Sequence, residues 1–406
     1  MRKIRTDLLT PLDRDRTLFL KDHALAWEGS AITAVRPYDP ALDADCEDWR
    51  DCLALPGFVD VHTHLSQYRI RGRYEPALLD WLEKYVFPAE ALSRDPAYAE
   101  LIAEEFFHAL FAAGTTTAMI YTAPFQEACE AAFAKAEELG ARAFIGMTLM
   151  DRNSPADLLQ TTDYAFSCSV ELYERHHGSS GLLDYIFTPR FALSCSEELM
   201  RRLGRFTHDR GAWLQTHLSE NPQEIEQVRR LFERAPYTQV YADLGLLSPR
   251  SVFAHAIHLT EPEIALLASH ECKVAHCPDS NFFLKSGELN YPALEKAKIP
   301  IGLGSDVAAG STLNMLYHAK LANYRQSSYS LQPERLFYHI TLGNAELLGL
   351  GDRVGSLEPG KEADLCLLQR PAETVPDEEL LSALCFWGHE LPVRETVIAG
   401  RTVYRG

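Results

Sequence analysis

Eight short apolar runs recur along the middle of this 406-residue chain, and most are followed by a helix-like stretch before the next begins. They read FVDVHTHL, TTTAMIY, RAFIGMTLM, LDYIFTPRF, AWLQTHL, SVFAHAI, KVAHCP and IPIGLGSD. Short apolar runs bounded by turn signals are strand candidates. The segments between them, such as DPAYAELIAEEFFHALFAAG (95–114) and PFQEACEAAFAKAEELG (124–140), end in glycine, a helix C-terminal signal. Repeated strand–helix units over roughly 250 residues predict an α/β chain folded as a (β/α)8 TIM-type barrel. Spacing alone leaves an open, doubly wound sheet as the alternative.

Outside this frame the pattern changes. The stretch up to about Leu55 holds brief strand candidates, TLFL, HALAWEG and AITAVRP, separated by turns. ADLCLLQ (363–369) and ETVIAGRTVYRG (395–406) read the same way, and Glu358-Pro359-Gly360-Lys361 is a turn leading into them. Neither end has enough apolar surface for its own core. Residues 1–55 and 357–406 are therefore expected to pair into one small β domain, with residues 56–356 forming the barrel.

Charge and cysteine usage remove several function classes. Lys plus Arg number 39 against 57 Asp plus Glu, a formal charge of −18, so nucleic acid and anionic membrane are poor partners. No uninterrupted apolar stretch approaches the ~18 residues of a spanning helix. The N-terminal MRKIRTDLLTPLDRDRTLFL turns charged before an apolar leader core can form. Nine scattered cysteines, without a CxxC pair, favour reduced thiols over a disulfide framework, and so a soluble, cytoplasmic protein.

The chemistry lies at the ends of the apolar runs. Asp60, His62 and His64 alternate in VDVHTH, so on a strand they share one face. Neutral imidazoles are good zinc or iron ligands, and an i, i+2 pair presents two of them to one ion. WLQTH ends in His217, VFAH in His255 and IGLGSD in Asp306. In a barrel, strand C-termini converge on the mouth that holds the active site. A single His-x-His pair would carry little weight. The order His-x-His, His, His, Asp at four strand ends points to a metal centre. Glu220 lies three residues past His217, where a carboxylate can shuttle protons over a metal; Ser219-Glu220-Asn221-Pro222 also reads as a helix start. Cys277 and His276 in AHCPDSN are read as structural rather than catalytic. The cytidine-deaminase pattern, H-E-x-x-H, a Walker loop and G-x-G-x-x-G are all absent.

PGFVDVHTHLSQY, TPRFALSCSEELM, THLSENPQEIE, AHCPDSNFFLKSGELN and IGLGSDVAAG together resemble the amidohydrolase superfamily, and within it the guanine deaminases. The resemblance runs from about residue 55 to about residue 359. It implies a (β/α)8 barrel with a small β-sandwich domain built from both termini. It also implies one divalent metal ion, zinc or iron, held by His62, His64, His217 and Asp306. The TPRF strand has no lysine to bridge two metals, in keeping with one ion. By the same resemblance Glu220 is the proton shuttle, and His255 helps orient the attacking water or the reacting ring; in the mechanism so implied, Asp306 and His255 hold the hydroxide by hydrogen bonds. Gln67, Arg190 and Phe191 match guanine-contacting positions, with His217 and Glu220 also facing the ring. Ser66 stands where these enzymes commonly have proline, and Ala309 where glycine is common. A homodimer is implied as well.

The implied reaction is hydrolytic deamination of guanine to xanthine and ammonia: metal-activated hydroxide attacks C2 while Glu220 moves its proton to N3. Guanine presents O6 and N7 as adjacent acceptors that suit the guanidinium of Arg190, whereas adenine puts a donor amine in place of O6. From charge content alone, the commoner fate of such an arginine is a structural ion pair. Another aminated ring (a modified purine or an aminotriazine), an amide or ester substrate, and a catalytically silent scaffold are the alternative functions.

Overall fold

The computed structural model describes residues 1–233, 236–371 and 375–406. Its strands are β1 (Arg2–Asp13), β2 (Arg16–Glu28), β3 (Ala31–Pro37), β4 (Glu47–Pro56), β5 (Phe58–His64), β6 (Thr115–Thr122), β7 (Arg142–Leu149) and β8 (Leu183–Tyr185). They continue with β9 (Thr188–Pro189), β10 (Leu214–Leu218), β11 (Ser251–His255), β12 (Lys273–His276), β13 (Ile301–Leu303), β14 (Leu365–Gln369), β15 (Val393–Ile398) and β16 (Arg401–Arg405).

The eight apolar runs all become parallel strands, with LDYIFTPRF divided between β8 and β9. Every residue of β6 and β7 is buried, which is why these stretches read as continuous apolar runs rather than alternating ones. Two ladders, β5-β6-β7-β8 and β10-β11-β12-β13, are joined at both seams. At one, Phe187 N–H donates to Trp213 O (3.0 Å) and His217 N–H to Arg190 O (3.1 Å). At the other, Asp306 N–H donates to His62 O (2.8 Å) and His64 N–H to Val307 O (3.0 Å). Val61, Met119, Phe144, Ile186, Val252 and Ala275 meet in one buried cluster drawn from around the ring. Closure excludes the open sheet and makes this a TIM-type barrel.

Helices return the chain between strands with the expected punctuation. Asp95 caps the helix Pro96–Ala112 through Ala97 N–H, and Ser196 caps Glu197–Arg210 through Leu199 N–H. Gly140 and Gly211 end their helices at φ of 77° and 59°, the left-handed region that glycine enters without steric cost.

Strands from both ends of the chain form one seven-stranded hydrogen-bonded path, β16-β15-β14-β4-β1-β2-β3. One expectation needs correction here: TLFL and HALAWEG are not separated by a turn but are parts of a single long β2, and the charged stretch before them forms β1. The charges that interrupt the apolar pattern pair with one another instead of breaking the strands: Arg5 Nε bonds Asp22 (2.6 Å) and Arg2 Nη2 bonds Glu47 (2.8 Å). Bulges at Thr6/Leu8 and Pro11/Asp13 bend the sheet, which has its own core of Ile4, Leu8, Leu25, Trp27, Leu365 and Val397. Buried Arg142, at the start of β7, links barrel and sheet through both oxygens of Asp364 (2.9 and 3.0 Å). No helix among the described residues is long and apolar enough to cross a membrane.

Candidate active site

The C-terminal ends of β5, β10 and β11 and the turn after β13 bring five of the expected residues together. His62 Nε2 and His64 Nε2 each lie 3.2 Å from Asp306 Oδ1, and His217 Nε2 is 3.4 Å from His64 Nε2. One ring nitrogen from each of the three histidines lies within 4.8 Å of the other two. His217 Nδ1 is 2.6 Å from Arg190 O; a carbonyl only accepts, so Nδ1 carries the proton and Nε2 keeps its lone pair. Burial lowers His64 to about 4 and, together with the neighbouring imidazoles, holds His217 well below its usual range. Burial alone would raise Asp306, but contact with His62 and His64 holds it well below the ordinary carboxylate value. Both ring nitrogens of buried His62 lack a hydrogen-bond partner among the described residues. These nitrogens and an ionised carboxylate, with an unsatisfied imidazole among them, fit one divalent cation such as zinc or iron.

Glu220 and His255 stand beside this group. His255 Nε2 is 3.4 Å from Glu220 Oε2 and 3.9 Å from Asp306 Oδ2. Asn281 Nδ2 donates to His255 Nδ1 (2.9 Å), which leaves the ring proton on Nε2, facing both carboxylates. Burial pushes His255 down to about 3, so it is a neutral donor at pH 7. Burial, aided by the charges of Asp306 and Glu224, pushes Glu220 well above the usual carboxylate range. Ser286 Oγ donates to its Oε1 at 3.0 Å. Ser219, His255 and Asp306 sit at φ of 48°, 70° and 47°, a costly region for non-glycine residues that is found at functional strand ends.

The carboxylate that starts the following helix is Glu224, not Glu220. Helix Pro222–Phe232 begins at Asn221, and Glu224 Oε2 accepts Glu220 N–H (2.9 Å) and Asn221 N–H (3.2 Å). Burial pushes Glu224 up from 4.5 to about 7. The folded state then holds a proton that the unfolded chain releases, so this group's stabilisation is complete below about pH 4.5 and is lost as pH rises through 7. Glu224→Gln keeps an oxygen acceptor without the titration. It is expected to gain ~3 kcal/mol on wild type between pH 4.5 and 8, read by urea unfolding at several pH values. Parallel curves for the two proteins would refute the shift.

These groups line one small cavity. Gln67, Arg190 and Phe191 are on its wall with His64, His217, Glu220, His255 and Asp306. Leu78, Trp81 and Leu82, from the segment between β5 and the next barrel helix, form its apolar side. Ala309 lines it too, and Ser66 is buried in the turn after β5. Arg190 has both of its anticipated fates: it faces the cavity, and its Nη1 pairs with buried Glu90 at 2.7 and 3.0 Å.

Glu90, Asn281 and Ser286 were not singled out from sequence. Asn281 and Ser286 lie inside AHCPDSNFFLKSGELN, so the motif was visible and their contacts were not. Glu90 had one available signal, an acid in the otherwise apolar VFPAEAL. Asp60 stays outside the cavity lining, its Oδ1 accepting Ser305 N–H (2.9 Å) and His62 N–H (3.1 Å).

A guanine deaminase of Escherichia coli strain K12 is 36% identical over 408 residues, covering 96% of this chain and 91% of that protein. The solved E. coli guanine deaminase superposes with a TM-score of 0.94 at 32% identity, covering 100% of both chains. A guanine deaminase from C. acetobutylicum, solved with guanine in its active site, gives a TM-score of 0.92 at 27% identity, covering 99% of this chain and 100% of that one. The amidohydrolase family model matches residues 53–403, and this chain belongs to that family.

Proposed function

We propose that this protein hydrolytically deaminates guanine, converting guanine and water to xanthine and ammonia. The observation that carries the reading is the shared cavity: the His62–His64–His217–Asp306 group, the carboxyl of Glu220 and the guanidinium of Arg190 all line or border one space. The guanine deaminases of similar sequence and fold support it.

His62, His64, His217 and Asp306 would hold one divalent ion, zinc in this reading, which would supply a Lewis acid able to activate water at neutral pH. Glu220 accepts a proton from the attacking water and delivers it to N3, making C2 a better electrophile. His255 donates from Nε2 and Asp306 accepts at Oδ2, which orients that water. Glu220 then takes the remaining proton of the hydroxyl added at C2 and passes it to the departing amine, which leaves as ammonia while C2 becomes a carbonyl. Arg190 donates to the O6/N7 edge, Gln67 meets a neighbouring polar edge, and Phe191 packs on the ring. The 1–55 and 357–406 segments serve as the small sheet domain, and 56–356 as the catalytic barrel. A cytoplasmic homodimer completes the reading; the nine free cysteines suit a reducing compartment.

The test is ammonia release from guanine, adenine, cytosine and an aminotriazine, paired with metal analysis of the purified protein. Guanine is expected to exceed adenine by more than the roughly tenfold to hundredfold that the donor–donor clash at position 6 costs, because adenine also carries no amine at C2 to release. Equal turnover of the two purines would rule out recognition through Arg190. Metal-bearing protein inert on every ring would rule out the reaction.

A further inference from the structure

We propose that Glu90, a buried residue outside the cavity lining, is a positioning residue that sets the hydrogen-bond polarity of the wall and thereby selects a purine carrying an acceptor at position 6 beside a donor at position 1. The inference rests on the function proposed above and extends it to the origin of ring selectivity.

Glu90 is 1% exposed and lies on the short helix Phe87–Ala91, directly behind two wall residues. Its carboxylate only accepts hydrogen bonds, so every neighbour must turn a donor toward it. Both of its oxygens take Arg190 Nη1–H, at 2.7 and 3.0 Å. Its Oε1 also accepts from Gln67 Nε2 at 2.9 Å.

Two consequences follow for the cavity. Arg190 makes all of its side-chain hydrogen bonds from Nη1, so among the described residues Nε and Nη2 have no protein partner and remain as donors. Gln67 has its amide nitrogen drawn back to Glu90. Its oxygen, which meets Ala308 N–H only at 3.4 Å, is left as the acceptor on the wall. The wall therefore presents donors from Arg190 and an acceptor from Gln67. Guanine answers with O6 as acceptor and N1–H as donor. A 6-amino purine presents the reverse at both positions. Without an acceptor-only group behind it, the Gln67 amide is free to turn over, and the pattern loses its sign.

The probe is 2,6-diaminopurine, which keeps the C2 amine and reverses both features of the edge. The reading is the ratio of kcat/KM for guanine to that for 2,6-diaminopurine, with metal content and Tm measured alongside. Glu90→Gln is expected to lower this ratio about tenfold or more, mostly through KM for guanine. Glu90→Asp keeps an acceptor-only group and is expected to hold the ratio within about threefold of wild type, even if both rates fall. If Glu90→Gln does not fold, Glu90→Gln/Arg190→Gln, which buries no charge at this place, carries the test, with a ratio expected near one.

A ratio unchanged in Glu90→Gln, both substrates falling by one factor, would make Glu90 purely structural and overturn the inference. So would loss of selectivity in Glu90→Asp equal to that in Glu90→Gln, or selectivity retained in the double variant. Failure of the parent reading looks different: wild type itself is then inactive on guanine.

Discussion

Glu220→Gln is expected to cut ammonia release from guanine by about 10²–10⁴-fold while metal content and fold stay as in wild type. Glutamine keeps the length of the side chain and an oxygen that can accept from Ser286, so the wall of the cavity is preserved. What disappears is the one group able to take a proton and return it. Glu220 Oε2 is 3.4 Å from the Nε2 proton of His255, and burial beside Asp306 and Glu224 holds its pKa well up. A carboxyl so placed keeps a proton readily enough to hand it on to a weakly basic ring nitrogen. The measurement is single-turnover ammonia release at saturating guanine, with metal analysis and a thermal melt on the same preparation. A near-normal rate would remove Glu220 from the mechanism. Loss of metal together with loss of rate would show instead that the carboxylate holds the ion.

His217→Ala is expected to lose both bound metal and turnover. Changes to groups behind a metal ligand commonly cost about 10–100-fold in affinity, and losing a direct donor costs more. The histidine is oriented from both sides, by Nδ1–H to Arg190 O (2.6 Å) and by Tyr241 Oη donating to His217 O (2.8 Å). Its Nε2 is therefore presented without rotational choice. Dialysis of wild type against a chelator should abolish ammonia release, and one equivalent of zinc or iron should restore it; the variant should not recover. Stability supplies an independent readout. A ligand that binds only the folded state at about 1,000 times its Kd adds ~4 kcal/mol, so reloaded wild type should melt higher than apoprotein and the variant should not respond. Full zinc occupancy in His217→Ala would take His217 out of the ligand set.

The strand positions and the His-x-His, His, His, Asp order were readable because strands buried on both faces leave uninterrupted apolar runs and because a barrel gathers their C-terminal ends. The helix start read at Ser219-Glu220-Asn221-Pro222 holds, with Asn221 as cap, but the carboxylate that reaches back to it is Glu224. Glu220 and Glu224 both follow the strand, and only the backbone path shows which one reaches back to Asn221 N–H. β1 was not among the strand candidates; its charges find partners only across the fold, where Arg5 meets Asp22 and Arg2 meets Glu47.

Residue type and spacing pointed to donors for an ion, and the resemblance to guanine deaminases pointed to Arg190 for an acceptor edge, since both depend on chemistry each side chain carries wherever it sits. Orientation was decided only by packing. That His255 keeps its proton on Nε2 depends on Asn281 behind it, and that Gln67 turns its oxygen outward depends on Glu90. An imidazole has two tautomers and an amide two faces of nearly equal intrinsic energy, so in each case the choice belongs to the buried neighbour, and neighbours 26 and 23 positions away meet only when the chain has folded.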